Sequence, residues 1–120
     1  MKKIIAYIRP EKLTEVKNAL EARTISEISV TNSLGAGRQK GYTKRYRGNE
    51  IEVNLLKKVR IEIAVIDAFV DKAVEGLIAG AQTGEIGDGK IFIQNLANAH
   101  RIRTKHEGKN ALKSWVHKFS

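Results

Sequence analysis

Ten consecutive residues, Thr83-Gly84-Glu85-Ile86-Gly87-Asp88-Gly89-Lys90-Ile91-Phe92, concentrate the chemistry that this sequence can offer. Glycines let a backbone turn tightly and bring its N–H groups close to an anion. A lysine directly after them adds a point charge suited to phosphate. Gly84 to Lys90 reads G-x-x-x-x-G-K, one residue short of a Walker loop. Ile91 stands where a Ser or Thr hydroxyl would hold magnesium, and an apolar strand follows where a helix would be needed. The stretch reads as a phosphate-holding loop without the parts of a P-loop hydrolase, and a glycine-rich hairpin that carries a lysine by chance fits the local pattern as well. Arg101 and Arg103 are two residues apart, so an extended backbone would point both to one face. No nucleophile or general base occurs at motif spacing. His100, His106 and His117 are scattered through the basic C-terminal part, where solvated or structural roles suffice. The chain is expected not to be an enzyme.

The balance of charge agrees with an anionic ligand. The formal net charge is +9 on 120 residues, which favours nucleotides, nucleic acid, a membrane surface or an acidic protein as partners. The aromatic content of 6% argues against a stacking platform for single strands. Cysteine is absent, which excludes disulfides and thiolate metal sites and fits a reducing cytosol. No apolar run approaches membrane-spanning length and the N-terminus lacks a signal-peptide core, so a cytoplasmic protein is expected.

The elements that position these residues can be read from periodicity. Ile4, Ile5, Tyr7 and Ile8 form a short apolar run ending at Pro10, a buried strand. Glu11 to Arg23 places Leu13, Val16 and Leu20 on one helical face. Ile28 and Val30 alternate with polar neighbours as a second strand, and Val59, Ile61, Ile63 and Val65 do so more clearly. Between them, Gly35 to about Asn54 shows no sustained period and reads as a long loop. Asp67 suits the N-cap of a helix burying Phe69, Val70, Ala73, Val74, Leu77 and Ile78, with Gly80 at its stop. Strand Ile91 to Ile93 follows the glycine loop. Strand-helix-strand thus occurs twice, which is the ferredoxin-like α+β arrangement: an antiparallel sheet with two helices on one face and the long loop between strands 2 and 3. Its uncovered face needs burial, so a homo-oligomer is expected. Residues 109–120 read as a basic extension in which Leu112, Trp115, Val116 and Phe119 fall at helical spacing beside Lys113, His117 and Lys118.

The glycine loop, Gly37-Arg38-Gln39-Lys40-Gly41, Tyr46-Arg47-Gly48, Lys58-Val59-Arg60-Ile61-Glu62-Ile63 and Arg101-Ile102-Arg103-Thr104 fall in the order and spacing of the PII nitrogen-regulatory signal proteins. The chain resembles that family from Met1 to about Gly108, including Arg9-Pro10, so the division expected is a PII-like domain over 1–108 and the extension over 109–120. The resemblance implies a homotrimer with ATP or ADP in clefts between subunits. It implies Gly37, Arg38, Gly87, Asp88, Gly89 and Lys90 around the phosphates, Arg101 and Arg103 contributed by the neighbouring subunit, and Glu62 near the adenine and ribose end. It further implies 2-oxoglutarate bound beside Mg-ATP by Gln39, Lys40, Gly41 and Lys58, with Gln39 in the magnesium shell and Lys58 on the far carboxylate. Magnesium prefers oxygen ligands and a dicarboxylate needs a cation, so the residue types suit these roles. Arg47, with Lys44 and Arg45, resembles the place where members that close ammonium channels insert an arginine into the pore, although a solvated loop tip fits the residues as well.

Departures from the family's pattern are also legible. Ile51 stands where uridylylated members carry tyrosine, and Asn49 where some carry a phosphorylated serine. Tyr7 and Ser29 differ from commoner residues at the nucleotide cleft, and Ala36 and Lys57 from commoner residues flanking the long loop. The resemblance implies a target that is an ammonium transporter or a nitrogen-metabolism enzyme or regulator. A PII-like regulator of some other process is the alternative, as is a membrane-surface or nucleic-acid binder using the basic tail, which would lose affinity steeply with salt.

Overall fold

Alternation along two strands decides the layer order. In β1 (Lys2–Ile8) the buried residues are Ile4, Ala6 and Ile8, and in β5 (Leu55–Val65) they are Val59, Ile61, Ile63 and Val65. The strands are antiparallel with Ile4 opposite Ile63, Ala6 opposite Ile61 and Ile8 opposite Val59, so one face is continuously apolar. The computed structural model of the chain describes residues 1–36, 43–46, 49–52 and 55–113. Around the central pair lie β2 (Ser29–Ala36), antiparallel to β5, and β6 (Lys90–Asn95), antiparallel to β1. The order is β2-β5-β1-β6. Helices α1 (Leu13–Glu21) and α2 (Val70–Ala81) cover the apolar face, with Val16 and Leu20 from one and Ala73, Leu77 and Ala81 from the other in the same core as the strands. This is the ferredoxin-like α+β arrangement of the sequence reading.

Several local expectations are corrected. Each helix is preceded by a 3-10 turn, Pro10–Lys12 and Asp67–Phe69, which moves its start two residues on from the sequence expectation. Asp67 is therefore not the α2 N-cap; that position is Phe69. The Asp67 carboxylate accepts instead from the Met1 amine at 2.7 Å. Gly80 does not stop α2, which runs to Ala81. Its missing side chain lets α2 lie on α1, since a Cβ there would fall 2.5 Å from the Val16 Cα. The buried face of α2 is accordingly richer in small residues than the period suggests: Gly76 and Gly80 are on it, and Ile78 is exposed.

The stretch between β2 and β5 also holds more regular structure than a long loop. β3 (Thr43–Tyr46) and β4 (Asn49–Glu52) form a separate two-stranded sheet, paired from Thr43 opposite Glu52 to Tyr46 opposite Asn49. Four-residue strands are too short for period-two patterning to register. Ile51 and Asn49 sit in β4, and Lys44 and Arg45 in β3. At the other end, α3 (Lys109–Leu112) contains Leu112, while Trp115, Val116, His117, Lys118 and Phe119 of the anticipated amphipathic helix lie outside the described residues.

Candidate functional site

The glycine loop joins the end of α2 to β6 and is tied down from within. The Asp88 carboxylate accepts from the Thr83 N–H at 2.8 Å, the Gly84 N–H at 2.9 Å, the Thr83 hydroxyl, and Arg9 Nε at 3.2 Å. These donors, the Thr83 hydroxyl first, hold the Asp88 carboxyl well below the usual carboxylate range. Arg9 closes the loop from the end of β1 by donating through Nη2 to the Ile86 carbonyl at 2.8 Å. Lys58 reaches in from β5 and donates Nζ to the Gly87 carbonyl. Burial, and secondarily the Arg9 charge, pushes the Lys58 ammonium below its ordinary range.

Two glycines are required where the loop meets the sheet. Gly87 and Gly89 have φ of 104° and 105°, a region that favours glycine. Gly89 also lies directly on β1, where a Cβ would fall 1.6 Å from the Tyr7 carbonyl oxygen. That approach delivers Lys90, opposite Tyr7 in the register, to the start of β6, where it is exposed. Asp88 therefore does not offer its carboxylate to an anion. It shapes the loop, whose exposed residues are Thr83–Ile86, Gly89 and Lys90.

Glu62 lies on the open face of the sheet with Lys58 and Arg60, at alternate positions of β5. Four residues separate it from Lys58, roughly 13 Å along the strand. Its carboxylate is held by Lys3 at 2.7 Å and Arg60 at 2.6 Å, and these partners, Lys3 first, lower its pKa. On the same face Tyr7 and Phe92 meet edge to face, with ring centres 6.3 Å apart.

Arg101 and Arg103 do not share an extended face. The Arg101 N–H donates to the His106 carbonyl and its carbonyl accepts from Lys105, so the segment curls back on itself, with Lys105 at φ 62°. Arg101 turns inward and donates Nη2 to the Ala111 carbonyl of α3 at 2.6 Å, whereas Arg103 is exposed. The structure thus gathers Lys58, Gly87, Asp88 and Gly89 at one end of the sheet, with Glu62 further along it, and leaves Arg101 and Arg103 on the C-terminal segment. Gly37, Arg38, Gln39, Lys40, Gly41 and Arg47 lie outside the described residues. The roles of Arg9 and Thr83 in holding the loop are not legible from spacing. The available hints are a cation closing an apolar run and a Thr-Gly pair five residues before an aspartate.

The sequence model of the family described as "Nitrogen regulatory protein P-II" matches residues 1–106. "Nitrogen regulatory protein P-II 2" of Methanothermobacter thermautotrophicus is 54% identical over 112 residues, covering 93% of this chain and 97% of that one. "Nitrogen regulatory protein P-II" of Rhodospirillum rubrum is 51% identical over 112 residues, 93% of this chain and all of that one (100%). The protein of the same name from Haemophilus influenzae is 48% identical over the same length and coverage. These relatives are named for regulation rather than for catalysis, in line with the non-enzymatic reading. A near-complete match at about half identity is decisive: this chain belongs to the nitrogen regulatory protein P-II family.

Proposed function

We propose that the chain is a signal protein whose effectors are ATP or ADP and, beside Mg-ATP, 2-oxoglutarate, bound at clefts between the subunits of a homotrimer. The observation that supports this most is the glycine loop. With the Asp88 carboxylate engaged by Thr83, Gly84 and Arg9, the loop leaves Gly89 and Lys90 exposed, and a polyphosphate needs such backbone and cationic donors. The half-exposed Phe92 beside Tyr7 supports assembly, because the open sheet face carries apolar rings that a second subunit would cover.

The donor types fit the proposed ligands. Gln39 supplies an amide oxygen for magnesium, Lys58 and Lys90 supply cations, and Arg38, Arg101 and Arg103 add guanidiniums suited to phosphate. Gln39 would hold magnesium, which when bound would supply positive charge against the anionic effectors and needs few protein ligands. Lys58 would hold the far carboxylate of 2-oxoglutarate. The stretch carrying β3 and β4, with Lys44, Arg45 and Arg47, would then engage a target: an ammonium transporter or a nitrogen-metabolism enzyme or regulator. The protein would be cytoplasmic and reach the membrane through such a transporter. Calorimetry of Gln39→Ala tests the assignment. ATP binding should persist while 2-oxoglutarate binding is lost; undiminished 2-oxoglutarate binding would overturn the role given to Gln39.

A further inference from the structure

The segment after β6 carries a contact that the family match does not explain. The matched region ends at residue 106, and α3 begins at Lys109. With four residues α3 cannot persist by its own propensity, yet Ala111 within it is 7% exposed. Two contacts hold it. Arg101, itself 9% exposed, donates Nη2 to the Ala111 carbonyl at 2.6 Å. Leu112 stands with Ile28 and Phe69 on the wall of a cavity of about 440 Å³ that also reaches Ser29 and Glu62. A guanidinium folded inward to this degree cannot at the same time extend into a cleft shared with another subunit. A phosphate oxygen is a stronger acceptor for it than a neutral carbonyl.

We infer that Arg101 is a latch between the C-terminal segment and the anion site. Its bond to Ala111 holds α3 against the core, and a bound phosphate draws the guanidinium out and releases α3. The inference rests on the function proposed above, in which Arg101 reaches the phosphates. It makes nucleotide binding and α3 docking compete for one side chain, so weakening the docking raises the apparent nucleotide affinity in proportion to the fraction of chains set free.

The test uses the full chain and its single tryptophan, Trp115, three residues beyond Leu112. Titration with ATP should change Trp115 emission in the wild type, and Arg101→Gln should show the altered emission with no ATP present. Leu112→Asp, which places a charge on the apolar wall near Glu62, should do the same and bind ATP about fivefold to tenfold tighter by calorimetry. Leu112→Ser replaces it should the acidic variant fail to fold. ATP binding that leaves Trp115 emission unaltered, or a Leu112 variant that binds ATP with wild-type affinity, would overturn the latch while leaving the function standing. No calorimetric ATP binding by the wild type would overturn the function and the latch together.

Discussion

Gly80→Ala should destabilise this protein although it replaces a helical glycine by the best helix former. A Cβ at residue 80 would lie 2.5 Å from the Val16 Cα, 2.7 Å from the Val16 nitrogen and 2.9 Å from the Glu15 carbonyl carbon. All three are backbone atoms, so no rotamer change relieves the clash and the helices must separate by roughly 1 Å to restore ordinary contact. Separation also loosens Leu20 and Leu77, which are fully buried between the helices and the sheet. Glycine to alanine in a helix gains about 0.5–1 kcal/mol, and overpacking costs about 1–3 kcal/mol, so a net loss of about 1–2 kcal/mol is expected. Gly76→Ala is the control. It sits one turn earlier on the same face, but its new Cβ would meet side-chain atoms first, Leu20 Cδ2 at 3.0 Å and Arg23 Cδ at 3.2 Å, with the nearest backbone atom, the Ala19 carbonyl oxygen, at 3.4 Å. Its effect should stay within about 0.5 kcal/mol. Urea unfolding followed by circular dichroism, at one protein concentration, measures both. A Gly80→Ala protein as stable as the wild type, or less affected than Gly76→Ala, would refute the close approach of α1 and α2.

The other predictions concern the glycine loop. Gly89→Ala combines a φ of 105° with a Cβ 1.6 Å from the Tyr7 carbonyl oxygen, so it should disrupt the β1–β6 pairing, seen as lost amide protection at Lys90–Phe92 in hydrogen exchange. Asp88 has a folded pKa depressed below its unfolded value, so the unfolded chain takes up its proton first on acidification. Its contribution to stability is present above the unfolded pKa, about 3.9, and is lost as the pH falls below it. Glu62, lowered by Lys3 and Arg60, acts in the same direction. The urea midpoint should therefore fall between pH 5 and pH 3, less steeply in Asp88→Asn; an equal slope in the variant would remove Asp88 from the explanation.

Sequence and structure agree where one physical rule acts alone. β1 and β5 are legible because each presents one buried and one open face, and period two follows from that geometry; β2 and β6, which bury little, show themselves by short apolar or alternating runs instead. The α2 boundaries and its buried face are not legible, because two rules compete there. Apolar periodicity favours Ile78 inward, but close helix packing selects the small residues Gly76 and Gly80, and Ile78 is left outside. The β3–β4 ladder escapes for the opposite reason, since backbone pairing over four residues leaves little mark on side-chain choice. In the candidate site the glycines and Lys90 announce themselves by type. The function of Asp88 does not, because a carboxylate in a phosphate-holding loop is explained only once Thr83, Gly84 and Arg9 are seen to surround it.

Three charged side chains from three parts of the chain meet at this loop, and their unequal ties suggest how a ligand could be read out. Arg9 is bound twice, to Asp88 and to the Ile86 carbonyl. Lys58 is tied to the loop through the Gly87 carbonyl, from a partly buried site that disfavours its charge. A dicarboxylate that recruits Lys58, as in the proposed function, must draw it from that carbonyl, while Arg9 keeps the loop in place. The ligand then has different affinities for two arrangements of the same loop, the condition for shifting one toward the other. β5 carries Lys58 opposite Ser33 of β2, and the Lys58 stem lies against Gly35, where a Cβ would be 3.7 Å from its Cγ. β2 ends at the next residue, Ala36, on the way to β3 and β4. Lys58 therefore touches both the glycine loop and the strand that leads to β3 and β4, so under the proposed function it is Lys58 whose displacement would carry a signal and Arg9 that would provide the fixed point.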